Sequence, residues 1–93
     1  MELPQNYNML SSQERRLVRQ EYVRVQKDLC SFCKGNLSQQ PPDHIINKRI
    51  NKRLFPEGFF NYPIHLHQDH DSGKTIGGVH AYCNAVLWQY YGQ

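Results

Sequence analysis

The stretch HLHQDHDSGKTIGGVHAYCN, at positions 65–84, decides the fold of this chain. At its beginning, Ile64 and Leu66 alternate with His65 and His67. Apolar residues that recur with a period of two lie on one side of an extended backbone, so this pattern predicts a β-strand. The fold is therefore expected to be built around a sheet that carries histidines along one strand.

The second half of the same stretch predicts a hairpin and then a helix. The sequence DSGK at 71–74 is typical of a tight turn, and residues 75–80 are expected to form the returning strand. Gly77 and Gly78 inside that strand indicate a bulge or a close approach by another part of the backbone. A helix is expected over residues 84–91, so the order strand, turn, strand, helix predicts an α+β domain.

Two pairs of candidate metal ligands lie far apart in the chain, Cys30-x2-Cys33 and His80-x2-Cys83. A gap of two residues lets both members of a pair reach one ion, and three thiolates with one imidazole form an ordinary tetrahedral zinc set. Four protein ligands leave no open position for water, so a structural zinc is expected rather than a catalytic one. The alternative is that these residues bind nothing, with Cys83 buried and His80 on the surface.

The size of the chain makes such a zinc site important for stability. A chain of 93 residues, expected to be a single domain over 1–93, buries only about 60–65% of the surface that its unfolded form exposes. Three cysteines are an odd number, and the chain does not begin with the apolar run of a signal peptide. A reduced, cytoplasmic compartment with metal-bound thiolates is therefore expected rather than a disulfide framework. No membrane association is expected, since no apolar run approaches the ~18 residues of a membrane span.

The N-terminal third predicts a helix. Residues 1–10 are expected to form an extended or frayed lead-in. Ser11 and Glu14 have the spacing of a capping box, which marks a helix start, and the helix is expected over residues 11–29. Its apolar stripe has helical spacing and consists of Val18, Tyr22, Val25 and Leu29. This stripe is expected to pack on the rest of the domain.

A knuckle and a basic insertion lie between the two ligand pairs. Residues 30–36 are expected to form the first zinc knuckle. The segment 43–60 is interpreted as a basic insertion that begins with a helix over residues 43–54. Residues 62–93 are expected to form the core of the domain, which contains the second ligand pair.

The net charge of +3 is a mild excess that does not by itself imply a nucleic-acid partner. The distribution of the positive residues says more, because they cluster in the first helix, in the basic insertion and beside the hairpin turn. Clustered positive charge fits a polyanion, although a solvated helix face is the commoner origin of a single run. The residues expected to contact DNA are Arg15, Arg19, Lys48, Arg49, Lys52, Arg53 and Lys74.

A second polar cluster remains once His80 is assigned to the zinc set. Its members are four consecutive residues, His67, Gln68, Asp69 and His70. The helix expected to begin at Asn84 can bring a carboxamide oxygen back to the hairpin, and imidazole and carboxamide ligands with water suit a loosely held divalent cation. The alternative is that the histidines line a hydrated strand or hold a second structural metal.

The histidine stretch and the second zinc pair resemble the HNH nucleases, also called ββα-metal nucleases, and in particular the recombination endonuclease VII group. The resemblance lies in HQDHDSGK at 67–74, in GGVHAYCN at 77–84 and in the pair formed by Cys30 and Cys33. It implies a small zinc-stapled ββα-metal fold, to which the N-terminal helix and the basic helical insertion are additions. It also implies a DNA endonuclease that hydrolyses phosphodiester bonds to leave a 5′-phosphate and a 3′-hydroxyl.

The resemblance also assigns roles to residues of the polar cluster. His67 matches the first ligand of a catalytic Mg²⁺ or Mn²⁺, and Asn84 matches the asparagine that binds this cation or orients the base. Gln68 falls where the family has the histidine that activates the attacking water, and His70 matches a histidine that holds the phosphate or the metal. The implied partner is duplex or branched DNA, cut by a monomer or a homodimer in the cytoplasm of a bacterial cell or a phage-infected host.

Gln68 departs from the family pattern. A carboxamide can orient a water molecule but cannot accept its proton at neutral pH, and a positioned general base is worth about 10²–10⁴-fold in rate. Three explanations are open: the chain is an inactivated variant that holds DNA uncut, a natural homologue reduced to binding, or a nuclease with a shifted register. In the last case Asp69 is the metal ligand and His70 is the general base.

Two other function classes compete with the metal-dependent endonuclease. One is a non-catalytic zinc module that binds nucleic acid through its basic segments and through aromatic residues such as Phe59 and Tyr62. The other is a structural zinc domain for protein contacts. Of the three, only the nuclease needs His67, His70 and Asn84 together.

Overall fold

A two-stranded antiparallel hairpin lies at the centre of the computed structural model, which describes residues 1–92. Its strands are β1 (Ile64–Gln68) and β2 (Thr75–His80), as the alternating pattern predicted. Leu66 packs with one helix and Val79 packs with another. These two residues are offset by one position in the pairing, so they point to opposite faces, and both faces of the hairpin are covered.

The pairing of the two strands changes register beside the turn. His67 lies opposite Gly77, whereas the next residue, Gln68, lies opposite Thr75. Ile76 is therefore an extra residue in β2, which makes a bulge and increases the local twist. A bulge was one of the two alternatives that the paired glycines indicated.

The other alternative, a close approach by another part of the chain, also occurs. The side chain of Gln26 donates to the Gly78 carbonyl (2.9 Å) and accepts from the Gly78 N–H (2.8 Å). A Cβ atom at Gly77 would lie 2.8 Å from Oε1 of Gln26 and 2.8 Å from Oγ of Ser31, so only glycine fits there without a shift. The outer edge of β2 is thus closed, and β1 forms the other edge of the sheet.

Helix α3 (Ala81–Tyr91) begins directly after β2, three residues before Asn84, where the sequence analysis placed its start. Val86 is fully buried and packs with Val79 of β2 in the larger hydrophobic cluster. The helix ends at Gly92, whose φ of 70° is the left-handed conformation usual after a helix C-terminus. The early start places Asn84 inside the first turns of the helix, next to the hairpin.

Helix α1 (Ser12–Val25) begins with the predicted capping box. The Glu14 N–H donates to Oγ of Ser11 (3.1 Å), and the Ser11 N–H donates to the Glu14 carboxylate (2.9 Å). This second bond lowers the pKa of Glu14 below its ordinary value of 4.5. Val18 and Tyr22 are buried against Leu66, as expected for the apolar stripe.

The C-terminal boundary predicted for this helix, 11–29, is wrong. The helix ends at Val25, because Lys27 and Asp28 adopt left-handed φ values of 57° and 64°. Val25 and Leu29, which were assigned to the apolar stripe, are therefore 49% and 43% exposed. The turn directs the chain toward the knuckle instead of continuing along the helix axis.

The helix predicted over residues 43–54 is also wrong. Only one turn, α2 (Asp43–Ile46), is α-helical, and a separate 3₁₀ turn lies at Lys52–Leu54. The carbonyls of Lys48 and Arg49, which a longer helix would use internally, accept hydrogen bonds from side chains of α3 instead. The donors are Tyr82 to the first carbonyl and Gln89 and Tyr90 to the second. The insertion is therefore a loop held against α3.

Residues 1–10, which were expected to be extended or frayed, lie across the hairpin turn. The Tyr7 N–H donates to the Gly73 carbonyl (2.8 Å), and the Thr75 N–H donates to the Gln5 carbonyl (2.8 Å). These bonds satisfy backbone groups of the turn that would otherwise face solvent. The segment is thus an ordered part of the domain.

Helices and an antiparallel hairpin together confirm the predicted α+β class. The order strand, turn, strand, helix in the second half of the chain is also as predicted. Within residues 1–92, none of the helices is both long and apolar enough to cross a membrane.

Candidate metal centre and arginine-lined groove

The three cysteines and His80 lie together although three different parts of the fold carry them. Cys30 and Cys33 belong to the knuckle after α1, His80 ends β2, and Cys83 lies in the first turn of α3. Their ligand atoms are all within 4.8 Å of one another. Cys30 and Cys83 are fully buried, and His80 is 4% exposed. The predicted Cys₃His group is therefore assembled and could bind zinc.

Backbone hydrogen bonds shape the first ligand pair. The Cys30 N–H donates to the Gly35 carbonyl (2.8 Å), and the Lys34 N–H donates to the Cys30 carbonyl (3.0 Å). Lys34 adopts a left-handed φ of 67°, which reverses the chain. The Gly35 N–H then points at Sγ of Cys33 (3.4 Å), and a donor in this position favours the charged thiolate.

His80 is oriented so that one ring nitrogen faces the sulfur atoms. Its Nε2 lies 2.9 Å from the Asn36 carbonyl oxygen and 2.8 Å from the Gln39 carbonyl oxygen. Carbonyl oxygens only accept, so Nε2 carries the proton and Nδ1 has a free lone pair. Nδ1 lies 3.5 Å from Sγ of both Cys33 and Cys83. A metal-ligating histidine is usually held in this way, with its second nitrogen bonded to a carbonyl or carboxylate.

The sulfur atoms are close enough to change one another's ionisation. A hydrogen bond from Cys83 lowers the pKa of Cys30 to about 4. The same hydrogen bond raises the pKa of Cys83, with burial and the negative charge of Cys30 acting in the same direction. Burial is the main reason that the pKa of Cys33 is raised. Three thiolates share so small a space only when positive charge balances them, which a divalent cation supplies.

An open groove of about 770 Å³ runs along the outer edge of β1. His65 and Leu66, which belong to opposite faces of the strand, both line it, so the groove follows the edge of the strand. Three cations of α1 contribute to its wall, Arg15, Arg16 and Arg19. Among the described residues, no aspartate or glutamate lines the groove. Its electrostatic potential is therefore positive and suits an anionic ligand.

Three of the predicted catalytic residues, Gln68, His70 and Asn84, line this groove. His65 lines it as well, and Nδ2 of Asn84 donates to Nδ1 of His65 (3.1 Å). The carboxamide of Asn84 therefore keeps its Oδ1 as an acceptor. Burial lowers the pKa of His65, and the positive charge of Arg19 acts in the same direction, so the imidazole is neutral at neutral pH.

Two other predicted catalytic residues are not part of the groove lining. His67 is 4% exposed and lies opposite Gly77 in the hairpin. Oδ1 of Asp69 accepts from the Asp71 N–H (2.8 Å), which lowers the pKa of Asp69 and stabilises the turn. Of the expected ligands for the catalytic cation, His67 and Asn84, only Asn84 therefore faces the groove. In the shifted register, the metal ligand would be Asp69 and the general base would be His70. Of these two, only His70 lines the groove.

The residues predicted to contact DNA fall into two groups. Arg15 and Arg19 line the groove together with Arg16, which the sequence analysis had not included among the contacts. Four cations lie in the insertion, outside this lining, namely Lys48, Arg49, Lys52 and Arg53, and Lys74 is exposed at the hairpin turn. Nζ of Lys48 is 4.9 Å from the ring centre of Tyr90, so this side chain packs on α3.

Aromatic residues complete the groove, and they were only partly predicted. Phe59 contacts the ring of His65 edge-on, with ring centres 4.5 Å apart. Tyr62 is 71% exposed and Trp88 is 42% exposed, and both line the groove. The signal that could have identified Trp88 is its position four residues after Asn84, since this spacing places two side chains on one face of a helix.

Comparison of the chain with protein-family models, with curated proteins and with solved structures found no match in any of the three. The functional interpretation therefore depends on two features of the molecule, the Cys₃His centre and the arginine-lined groove. They share α3, in which Cys83 of the centre is followed directly by Asn84 of the groove. A metal bound at the centre would fix one wall of the groove.

Proposed function

We propose that this chain is a zinc-stabilised DNA nuclease domain of the HNH type, which hydrolyses phosphodiester bonds with a divalent cation. The observation that carries the proposal is that Gln68, His70 and Asn84 line one groove with three arginines. Zinc is the metal assigned to the adjacent Cys₃His centre, because three sulfur atoms and one imidazole nitrogen are donors that zinc prefers. Its role is to hold the fold together.

The groove residues have chemistry that suits a phosphodiester substrate. The guanidinium groups of the arginines are donors that match phosphate oxygens. His70 and Oδ1 of Asn84 are the groups that would hold Mg²⁺ or Mn²⁺ in the groove. Such a cation, when bound, polarises the scissile phosphate and stabilises the departing oxygen. The expected products are a 5′-phosphate and a 3′-hydroxyl.

Gln68 is expected to make hydrolysis slow. It occupies the position at which the HNH nucleases, by resemblance, have the histidine that accepts a proton from the attacking water, and a carboxamide cannot do so. The test is a plasmid-nicking assay with Mg²⁺ or Mn²⁺ that compares the parent chain, Gln68→His and Gln68→Leu. We expect Gln68→His to raise the nicking rate by about 10²–10⁴-fold, and Gln68→Leu to give no increase.

A control variant shows whether any gain belongs to this groove. Gln68→His combined with Asn84→Ala should lose the gain, because the carboxamide that faces the groove is removed. No increase in nicking by Gln68→His alone would contradict the assignment of this position to the general base.

A non-catalytic zinc module that binds nucleic acid is the second candidate. It is favoured by Gln68 and by the burial of His67, which is 4% exposed. In that case DNA binding is present while no Gln68 variant nicks the plasmid. Arg16→Gln should then lower the slope of log K against log salt by about 0.7–0.9, the value for one lost phosphate contact. Arg24→Gln is the control, because this arginine of α1 is paired with Glu21 outside the groove.

A further inference from the structure

The groove combines exposed aromatic rings with arginines that no carboxylate neutralises. This combination bears on whether a nucleic-acid ligand is paired or unpaired. We propose that the groove binds an unpaired nucleic-acid strand, with bases stacked on Tyr62 and Trp88 and phosphates bound by the arginines. This inference depends on the proposed function only in that the ligand is a nucleic acid. It does not require that the strand is cut.

The first observation is the exposure of the two rings. Tyr62 is 71% exposed and Trp88 is 42% exposed, and both line the groove. A cluster of phenylalanines lies beside Trp88: the Phe55 ring is 5.5 Å from that of Trp88 and 4.8 Å from that of Phe59. The ring of Trp88 is therefore supported from within the protein while part of its surface faces the groove. Such a surface can stack on a flat base.

The second observation is the charge of the opposite wall. Nε of Arg15 donates to the Tyr7 carbonyl (3.3 Å), and its guanidinium carbon lies 3.9 Å from the centre of the Tyr7 ring. These contacts hold the cation in place before a ligand arrives. Within residues 1–92, the one ion pair joins Arg24 and Glu21, so no carboxylate neutralises the groove arginines.

The two walls together favour an unpaired strand over a duplex. The bases of a duplex are already stacked on one another, so a duplex could use the arginines but not the rings. An unpaired strand can use both walls, and stacking of a base on an aromatic side chain strengthens binding by about 5- to 150-fold.

Tryptophan fluorescence can test this inference directly, because Trp88 is the only tryptophan in the chain. The zinc-loaded full chain, without added Mg²⁺ or Mn²⁺, is titrated with oligo(dT) and with a hairpin duplex of the same length. We expect oligo(dT) to quench the emission and to bind more tightly than the duplex at the same salt concentration. Equal or tighter binding of the duplex would overturn the inference.

Variants of Tyr62 separate stacking from general attraction to phosphate. Tyr62→Ala should weaken oligo(dT) binding by about 5- to 150-fold, whereas Tyr62→Phe keeps the ring and should bind like the parent chain. Tyr91→Ala is the matched control, since Tyr91 is 58% exposed but does not line the groove. A Tyr62→Ala variant that binds as tightly as the parent would also overturn the inference.

Two further comparisons separate this inference from the proposed function. Tighter binding of oligo(U) than of oligo(dT) supports the unpaired strand and assigns it to RNA. Binding of oligo(dT) by the chain, with no plasmid nicking even by the Gln68→His variant, contradicts the nuclease proposal alone. A chain that nicks plasmid but shows no response to oligo(dT) contradicts the unpaired-strand inference alone.

Discussion

Removal of the metal from the Cys₃His centre should unfold the chain. Structural zinc sites contribute an apparent binding free energy of about 10–16 kcal/mol at neutral pH. A chain of 93 residues has a total stability of about 5–14 kcal/mol, at ~0.05–0.15 kcal/mol per residue. The contribution of the metal is therefore as large as the whole free energy of unfolding.

The packing around the centre supports this magnitude. The largest fully buried side chains are Val79, Val86, Cys30 and Cys83, and two of these four belong to the Cys₃His group. Without the metal, the knuckle loses its connection to α3, and Cys33 and Cys83, whose pKa values are raised, keep their protons. The hydrophobic cluster contains Cys30 from the knuckle and Cys83 from α3. Without the metal, these two parts of the cluster would no longer be linked to each other.

The appropriate assay is thermal unfolding monitored by circular dichroism. The two perturbations are addition of a chelator and the Cys83→Ser substitution. A loss of only ~5 kcal/mol should lower Tm by about 20–40 °C, at ~4–8 °C per kcal/mol for a domain of this size. His44→Ala is the control, because His44 is exposed and lies outside the Cys₃His group. A folded parent chain that is purified without bound zinc would refute the reasoning. A Cys83→Ser variant that melts within a few degrees of the parent would refute it equally.

The capping box and the crowded glycine give two further predictions. Ser11→Ala should lower the unfolding free energy in urea by about 1 kcal/mol, and Ser12→Ala should not. The folded-state pKa of Glu14 is lowered, so the capping interaction is complete above the ordinary pKa and is lost only as pH falls through the lowered value. The decrease in unfolding free energy caused by Ser11→Ala should therefore be constant from about pH 6 to about pH 8. Gly77→Ala should cost about 1–3 kcal/mol in the same assay, because its Cβ would lie 2.8 Å from two side-chain oxygens, whereas Gly78→Ala, with 3.5 Å to its nearest neighbour, should cost less. Equal effects of the two serines would contradict the capping argument, and equal effects of the two glycines would contradict the crowding argument.

The features that the sequence predicted correctly have local signals. Alternation predicted β1, the turn at 71–74 predicted the returning strand β2, ligand spacing predicted the four residues of the metal centre, and the pair Ser11 and Glu14 predicted the start of α1. Each of these signals acts within a few positions of the residues that it describes. The two pairs of the metal centre are far apart in the chain, but each pair is itself a local motif.

The incorrect predictions concern segments whose backbone is controlled from a distance. Residues 43–54 do not continue as a helix, because side chains of α3 about forty positions away bind the carbonyls of Lys48 and Arg49. Helix α1 ends early where the side chain of Gln26 is committed to the backbone of Gly78. No helix propensity or periodicity contains this information.

The groove shows the same limit for the candidate site. Strand alternation predicts which residues share a face, but both faces of β1 are covered by helices, and the groove follows the edge of the strand instead. His65 and Gln68 therefore line the groove, while His67 between them is buried. Which residues reach the edge depends on the positions of α1 and α3, and these follow from the whole fold.

The separation of the two ligand pairs has a consequence for how the chain folds during synthesis. The knuckle with Cys30 and Cys33 is synthesised before the second ligand pair. Another 46 residues separate Cys33 from His80, the first member of that pair. Contacts between distant residues form slowly, because a long loop must close before they become favourable. Until then the thiols of the nascent chain are open to oxidation or to the wrong metal ion. The Cys₃His centre, which is expected to hold the domain together, is thus among the last parts of the fold to close.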